Sequence, residues 1–318
     1  MKVSATNGTV LTARNSRRLA IKKYWQENWQ YYILLLPAII FTVVFAYVPM
    51  YGAQIAFRDY KVKLGFWGSE WVGMKHFIRF VTSSNFWPLL RNTLGISVYS
   101  LVAGFPAPII LAFMLNELQS GKLRKSVQMI TYAPHFISAV AVCGLIRLFT
   151  QRESGVINLL IMMLGGEGVD FLAEPAYFST IYVISSIWQE LGWGTIIYLA
   201  ALSGVDPQIV EASVIDGASR LQKIWYIDIP TIMPTIIILL ILNVGSILSV
   251  GYEKVLLLQT PLNMETSDII STYVYRLGIE DAQFSYTTAI GLFNSVVNLA
   301  LLTIVNYISK KFSGSSLW

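Results

Sequence analysis

Glu190 is the only acidic residue deep within an apolar segment of the sequence, and polar and aromatic residues surround it at helical spacing. An ionisable group in hydrocarbon costs at least about 2.5 kcal/mol unless it is paired or faces water, so this side chain should not face lipid. Hydroxyl, amide and aromatic groups on one helical stripe suit a solute with hydroxyl edges and C–H faces, such as a sugar. The candidate solute-contacting residues here are Ser186, Trp188, Gln189, Glu190 and Trp193.

Two alternatives stay open for this segment. Glu190 can instead pair with a neighbouring helix through Arg147, which would make the two tryptophans packing residues. Tyr252 and Glu253, beyond the outer end of the fifth apolar segment, are further candidates for lining the mouth of a pathway. A solvated loop explains those two residues equally well.

The sequence offers no set of side chains typical of an enzyme or a metal site. Cys143 is the only cysteine, and His76 and His135 cannot hold a metal ion by themselves. The acids between the third and fourth apolar segments show no paired spacing and are interpreted as a solvated loop. These acids are Glu153, Glu167, Asp170 and Glu174. We therefore expect no catalytic residue and no metal, and a polytopic glycosyl transferase is the less favoured alternative.

A nucleotide site of the phosphate-loop type is also not expected. Gly121-Lys122 is the nearest match, but Asn116 stands where the first glycine of the pattern belongs. The chain is therefore not expected to bind a nucleotide at such a loop, and this absence by itself fits a channel equally well.

The composition indicates that membrane helices position the candidate residues. Of 318 residues, 55% are hydrophobic and 13% are charged, about half the charged fraction of an average soluble domain. About 20 mostly apolar residues suffice for a helix to cross a bilayer. The predicted spans are 31–51, 90–116, 127–149, 178–202, 233–250 and 288–309. Between a basic tail, 1–30, and a short tail, 310–318, these spans form one domain, 31–309.

The distribution of Lys and Arg predicts the orientation of this domain. Basic residues are concentrated in the segments that lie inside when the N-terminus is inside. Because such residues favour the cytoplasmic side, both termini are expected in the cytoplasm.

The segment between the fourth and fifth spans, 203–230, is predicted to form two short helices joined by a bend. Asp206 is a candidate N-cap and Pro207 suits the first helical position. Gly217 can adopt the left-handed conformation that ends a helix. The first helix is therefore expected to stop at this glycine.

The second helix of this loop opens with a capping signal. Ser219 and Gln222 have the spacing of a capping box, and the helix is predicted to stop before Pro230. A DNA-reading helix-turn-helix is excluded, because the loop is tied to a span at each end and offers only Arg220 and Lys223 for phosphates. No nucleic-acid partner is expected.

The run Glu211-Ala-Ser-Val-Ile-Asp-Gly217, with Pro230 and Pro234 after it, resembles the EAA loop of ABC importer permeases. In that family the loop forms a coupling helix that sits in a groove on the cytoplasmic ATPase subunit. Ser213 replaces the usual second alanine, which is a small departure. The resemblance assigns the ATPase contact to Glu211, Ala212, Ser213, Asp216, Gly217 and Ala218.

Further segments extend the resemblance over nearly the whole chain after the basic tail. Phe105-Pro-Ala-Pro108, Tyr132-Ala-Pro-His-Phe-Ile-Ser138 and Ala289-Ile-Gly-Leu-Phe293 are similar to the polysaccharide-type, or LplB-like, branch of the binding-protein-dependent sugar permeases. The resemblance implies an all-α, six-span membrane protein with the fold of maltose-transporter-type importers.

The resemblance also implies partners. They are a second, similar permease, two ATPase subunits that use ATP and Mg²⁺, and an extracellular or periplasmic solute-binding protein. This chain would then form half of the path for an oligosaccharide or polysaccharide across a prokaryotic plasma membrane, with no cofactor of its own. An ion-coupled carrier or channel is the alternative, and it predicts solute flux without ATP.

Overall fold

A computed structural model of the chain describes residues 7–118, 120–314, 316 and 317, with side chains from Tyr24 onward except at 312 and 313. Of the predicted tails, residues 1–6, 315 and 318 lie outside the described residues. The chain divides into two compact units, Met1–Ile55 and Ala56–Trp318.

The described residues of the first unit are helical. Helix α1 (Asn7–Thr42) continues through a π-helical turn, Val43–Tyr47, into α2 (Val48–Met50), and a 3-10 segment, Tyr51–Phe57, follows. Helical structure therefore extends from the first predicted span back into the basic segment, as far as Asn7.

The second unit is also predominantly helical. Two short strands, β1 (Arg58–Asp59) and β2 (Glu70–Trp71), pair antiparallel, with Arg58 opposite Trp71. The helices up to the candidate solute segment are α3 (Gly65–Gly68), α4 (Lys75–Val81), α5 (Phe86–Gly104), α6 (Pro106–Asn116), α7 (Gly121–Tyr132), α8 (Ala139–Thr150), α9 (Val156–Met163) and α10 (Pro175–Leu202). Those after it are α11 (Pro207–Ile215), α12 (Arg220–Lys223), α13 (Ile229–Gly245), α14 (Tyr252–Leu258), α15 (Met264–Ser267), α16 (Ile270–Tyr275) and α17 (Phe284–Ser313).

Length and apolarity support most of the predicted spans. In the described residues, helical stretches Tyr24–Phe57, Phe86–Asn116, Arg220–Gly245 and Phe284–Lys311 are long and apolar enough to cross a membrane. A pair of helices joined at a sharp bend, described in the next paragraph, makes a fifth span if the two helices are counted together. Helix α10 contains the predicted fourth span and has 28 residues, but its polar side chains keep it below the same hydropathy. The count of six is therefore not confirmed by this criterion.

The third predicted span, 127–149, is broken rather than continuous. Gly121–Phe136 and Ala139–Thr150 meet at a bend of 101°. Pro134 lies in a 3-10 turn, Ile137 is extended, and the Ser138 hydroxyl accepts from the Ala141 amide as the N-cap of α8. A new helix thus starts at Ser138, because its cap satisfies an amide that the broken helix leaves free.

The sequence predicts that the second helix of loop 203–230 stops before Pro230. In the structure the helix continues past this proline. Helix α12 continues through a π-helical turn, Ile224–Asp228, into α13. Pro230 directly follows this π-helical turn and lies within the continuous helix. The fifth span therefore begins within the loop and ends at Gly245, five residues earlier than predicted.

A partly buried ion cluster fixes this continuous helix to the second span. Lys223 donates to Glu117 Oε1, just after α6, and its Nζ lies 3.5 Å from Asp228 Oδ2. Asp228 is 1% exposed, and neither of its carboxylate oxygens has a hydrogen-bond partner in the described residues. The ammonium of Lys223 is thus the charge that compensates this carboxylate. The two residues are five positions apart, which is the spacing of the hydrogen bonds in a π-helical turn.

Apolar packing holds the helices around these groups. One cluster near loop 203–230 joins Phe113 of α6, Tyr198 of α10 and Ile232 of α13. Helices α7 and α10 approach closely at Gly192, where an added Cβ would lie 2.2 Å from the Thr131 carbonyl oxygen. Any larger residue at Gly192 would therefore separate these helices.

Lys223→Met is expected to lower the free energy of unfolding by about 3 to 5 kcal/mol, since it leaves the Asp228 carboxylate buried and unpaired. The measurement is unfolding of the purified chain in detergent. Replacing Asp228 by Asn in the same chain should recover most of the loss. Lys122→Met, at an exposed lysine of α7, is the control and should change little. Equal effects of the two lysine substitutions would contradict the role of the ion cluster.

Candidate functional site

The first half of loop 203–230 is fixed by local hydrogen bonds, as the sequence predicts. Asp206 Oδ1 accepts from the Gln208 amide at 2.9 Å, and α11 opens at the next residue, a proline. At the other end Gly217 has φ +76°, and the amide that follows it donates to the Ser213 carbonyl at 2.9 Å. This is a Schellman ending, which requires a left-handed residue and so favours glycine.

The second half opens with the predicted capping box. The Gln222 amide donates to Ser219 Oγ at 3.3 Å, and the Ser219 amide donates to Gln222 Oε1 at 2.8 Å. The bend between α11 and α12 is therefore closed by bonds on both sides. Such a bend moves with the helices that it joins.

The residues predicted to contact an ATPase lie on the outside of this bend. Glu211, Ala212, Asp216 and Gly217 are exposed, while Ser213 and Ala218 are half-buried. Large apolar side chains are exposed beside them, and Ile215 is 86% exposed. The others are Val214, Leu221, Trp225 and Tyr226. Exposed apolar groups of this kind are typical of a protein interface.

A cavity of about 450 Å³ lies between α5, α6, α10, α13 and the segment 246–251. Three of the predicted solute-contacting residues line it, namely Ser186, Glu190 and Trp193. Ser97, Ser100 and Asn243 add hydroxyl and amide groups from α5 and α13. The cavity thus combines hydrogen-bonding groups with aromatic and aliphatic surface.

Glu190 is paired, but not with the arginine considered from the sequence. Its Oε2 lies 2.9 Å from Nδ1 of His135, whose ring stacks on Trp193 with centroids 4.4 Å apart and planes at 3°. Arg147 instead donates to the backbone carbonyl of Leu257. The break in the third span creates this arrangement, because His135 lies in the turn just before it.

The other predicted solute-contacting residues do not line this cavity. Trp188 is half-exposed, and Gln189 Nε2 donates to the Ile137 carbonyl at 3.0 Å, which supports the extended residues at the break. Tyr252 stacks on Tyr275 with ring centroids 5.6 Å apart, and Glu253 is exposed. The structure therefore gathers only part of the predicted set.

Lys254 is a charged neighbour of the cavity that the sequence did not single out. It is 8% exposed, and its Nζ donates to Ser186 Oγ at 3.0 Å. Burial lowers the pKa of Lys254 to about 8, and Cys143 and Glu190 partly offset that shift. The lysine is mainly charged at pH 7, since its pKa still lies above that value. Its position next to Glu253 in the sequence gives no sign of this burial.

Comparison with known proteins identifies the family. The model of the family described as binding-protein-dependent transport system inner membrane component matches residues 104–314. Protein LplB of Bacillus subtilis (strain 168) is 45% identical over 293 residues, 92% of each chain. The polygalacturonan/rhamnogalacturonan transport system permease protein YteP of the same organism is 43% identical over 314 residues, 99% of this chain and 97% of that one. The LplB-like resemblance of the sequence is thus confirmed.

A solved structure is similar over most of the chain. It is the crystal structure of a bacterial ABC transporter involved in the import of the acidic polysaccharide alginate, with a TM-score of 0.84, 42% identity and coverage of 92% of this chain and 99% of that one. These relatives confirm the prediction of a helical transport permease rather than a membrane enzyme. The chain belongs to the binding-protein-dependent transport system inner membrane components, and is a multi-pass, non-catalytic permease subunit of an ABC importer.

Proposed function

We propose that this chain forms half of the path by which an oligosaccharide or polysaccharide enters a prokaryotic cell, and that a solute-binding protein delivers the solute. A bacterial alginate ABC transporter was crystallised in complex with an alginate pentasaccharide-bound periplasmic protein. The matching chain of that structure is 42% identical to this chain. A second, similar permease and two ATPase subunits complete the importer, and the ATPase subunits use the ATP and Mg²⁺.

The observation that carries this proposal is the exposed bend at Gly217. The bend is closed by hydrogen bonds, shows large apolar side chains to its surroundings, and continues without a break into the fifth span. A rigid knob of this kind transmits a rigid-body movement from one subunit to another. We assign the ATPase contact to Glu211, Ala212, Ser213, Asp216, Gly217 and Ala218.

This assignment also sets the orientation that we propose. An ATPase is a cytoplasmic subunit, so loop 203–230 faces the cytoplasm, and the topology of the predicted spans then places both termini on the same side. The distribution of Lys and Arg supports the same orientation.

We place the solute contacts of this chain on the cavity between α5, α6, α10 and α13. Ser186 and Glu190 offer hydrogen-bond groups, and Trp193 offers a flat ring for the C–H face of a sugar. Helices α10 and α13 lead directly into loop 203–230 from either side, so movement of the loop alters two walls of the cavity.

Gly217→Trp is expected to reduce uptake and solute-stimulated ATP hydrolysis about tenfold or more, equivalent to about 1.4 kcal/mol. A side chain at φ +76° is strained, and its bulk would occupy the surface that enters the ATPase groove. The measurement is uptake and ATPase activity of the complete importer in proteoliposomes, with the amount of inserted chain determined in parallel.

The matched control is Gly73→Trp. Gly73 also has positive φ, +57°, and an added Cβ there also meets no atom within 4 Å, but it lies at the opposite end of the helices. This variant should retain coupled uptake. Unchanged uptake with Gly217→Trp, or equal losses in both variants, would contradict the coupling role.

Glu190→Gln is expected to reduce uptake by about tenfold, equivalent to about 1.4 kcal/mol, while leaving assembly intact, because it removes a charge from the cavity wall without changing the shape of that wall. Assembly is measured by co-purification with the partner subunits. Glu153→Gln, in the exposed loop after α8, is the control and should transport normally. Normal uptake by the Glu190 variant would exclude this residue from the path, and loss of assembly would make it structural.

A further inference from the structure

Lys254 is a buried cation without an acidic partner. It is 8% exposed, and within the described residues no carboxylate oxygen lies within 4 Å of its ammonium nitrogen. Removing an ammonium from water costs several kcal/mol, which an opposite charge ordinarily offsets. A cation in this condition points to a counter-ion in direct contact, which the described residues do not supply.

The surroundings of the ammonium direct it to the cavity. Its Nζ donates to Ser186 Oγ at 3.0 Å and lies 5.5 Å from the centre of the Tyr182 ring. Ser186 and Tyr182 both line the cavity between α5, α6, α10 and α13, as does Gly251 just before α14. A hydroxyl and an aromatic ring orient a cation, but neither neutralises it.

The acid in the cavity wall already has another partner. Glu190 is one turn further along α10 than Ser186, and its carboxylate is held by His135 at 2.9 Å. Lys254 therefore feels the Glu190 charge only from a distance, and no carboxylate of the described residues contacts it. It lies beside a space of about 450 Å³, which is large enough for sugar units.

We propose that Lys254 reads the charge of the transported saccharide, by pairing its ammonium with a carboxylate of an acidic saccharide in the cavity. This inference rests on the proposed function. An acidic saccharide supplies the missing counter-ion, whereas a neutral saccharide leaves the ammonium desolvated and unpaired. The lysine thus favours acidic over neutral chains of the same shape.

The test is uptake by the complete importer with its binding protein in proteoliposomes. The probes are short oligogalacturonate and oligomannuronate, and each is paired with its methyl ester, which keeps the shape and removes the charge. The binding protein is the same throughout, so a change in the ratio of acid to ester uptake between variants reports the permease. Lys254→Met should lower this ratio about tenfold, the equivalent of about 1.4 kcal/mol, and Lys254→Arg should largely restore it.

Two further variants complete the test. Ser186→Ala removes the acceptor that orients the ammonium, and should lower the ratio to a smaller extent even if Lys254→Met fails to assemble. Lys61→Met, at an exposed lysine, should leave the ratio unchanged. If neither the unaltered importer nor its variants take up the esters, the rates of acid uptake are compared instead. The loss of acid uptake is then expected to be largest for Lys254→Met, smaller for Ser186→Ala and absent for Lys61→Met.

The outcomes separate the two proposals. A ratio, or acid uptake, that is unchanged in both Lys254→Met and Ser186→Ala overturns the charge-reading role while leaving saccharide import intact. Uptake of esters in preference to acids by the unaltered importer also overturns it. Failure of the unaltered importer to take up any saccharide overturns the proposed function itself, and the role of Lys254 with it.

Discussion

The buried carboxylate of Asp228 constrains the rest of the structure. At 1% exposure it requires a nearby positive charge, and Lys223 provides it while also bonding Glu117 at the end of the second span. Loss of Lys223 would leave this carboxylate without a compensating charge in a medium of low dielectric constant. The start of the fifth span, the bend of loop 203–230 and the end of the second span are therefore held as one body.

This body connects the exposed bend with the cavity. Helix α13 continues from the ion cluster to Leu239 and Asn243 in the cavity wall, and α10 connects the other side of the loop to Glu190. Both connections are helices, so neither absorbs a displacement of the bend as a flexible linker would. A displacement of the bend is thus transmitted to the proposed solute contacts along the backbone of α10 and α13.

The local structure of the loop was predictable from sequence, whereas the partners of its charges were not. Asp206, Gly217 and Ser219 bond to backbone groups two or three residues away, and such signals are readable in a short window. Lys223 and Glu117 are separated by 106 positions and His135 and Glu190 by 55, so only the packing of the helices reveals these pairs.

The break in the third span and the burial of Lys254 could not be predicted from the sequence, for related reasons. Proline is common in membrane helices, so Pro134 alone did not distinguish a kink from a bend of 101°. Lys254 follows two polar residues beyond an apolar segment, a pattern typical of a solvated loop, and its burial depends on the distant helices α8 and α10.

The claim that an ATPase subunit holds the bend is tested most directly by cysteine cross-linking in the assembled importer. Cys143, the only native cysteine, is replaced by serine, and Ile215→Cys is combined with a single cysteine in the groove of the ATPase. We expect a cross-link that depends on both cysteines, and none with Ile279→Cys, an exposed position at the opposite end. Absence of the cross-link, with labelling of Ile215→Cys by an impermeant thiol reagent from the side away from the ATPase, would contradict the account.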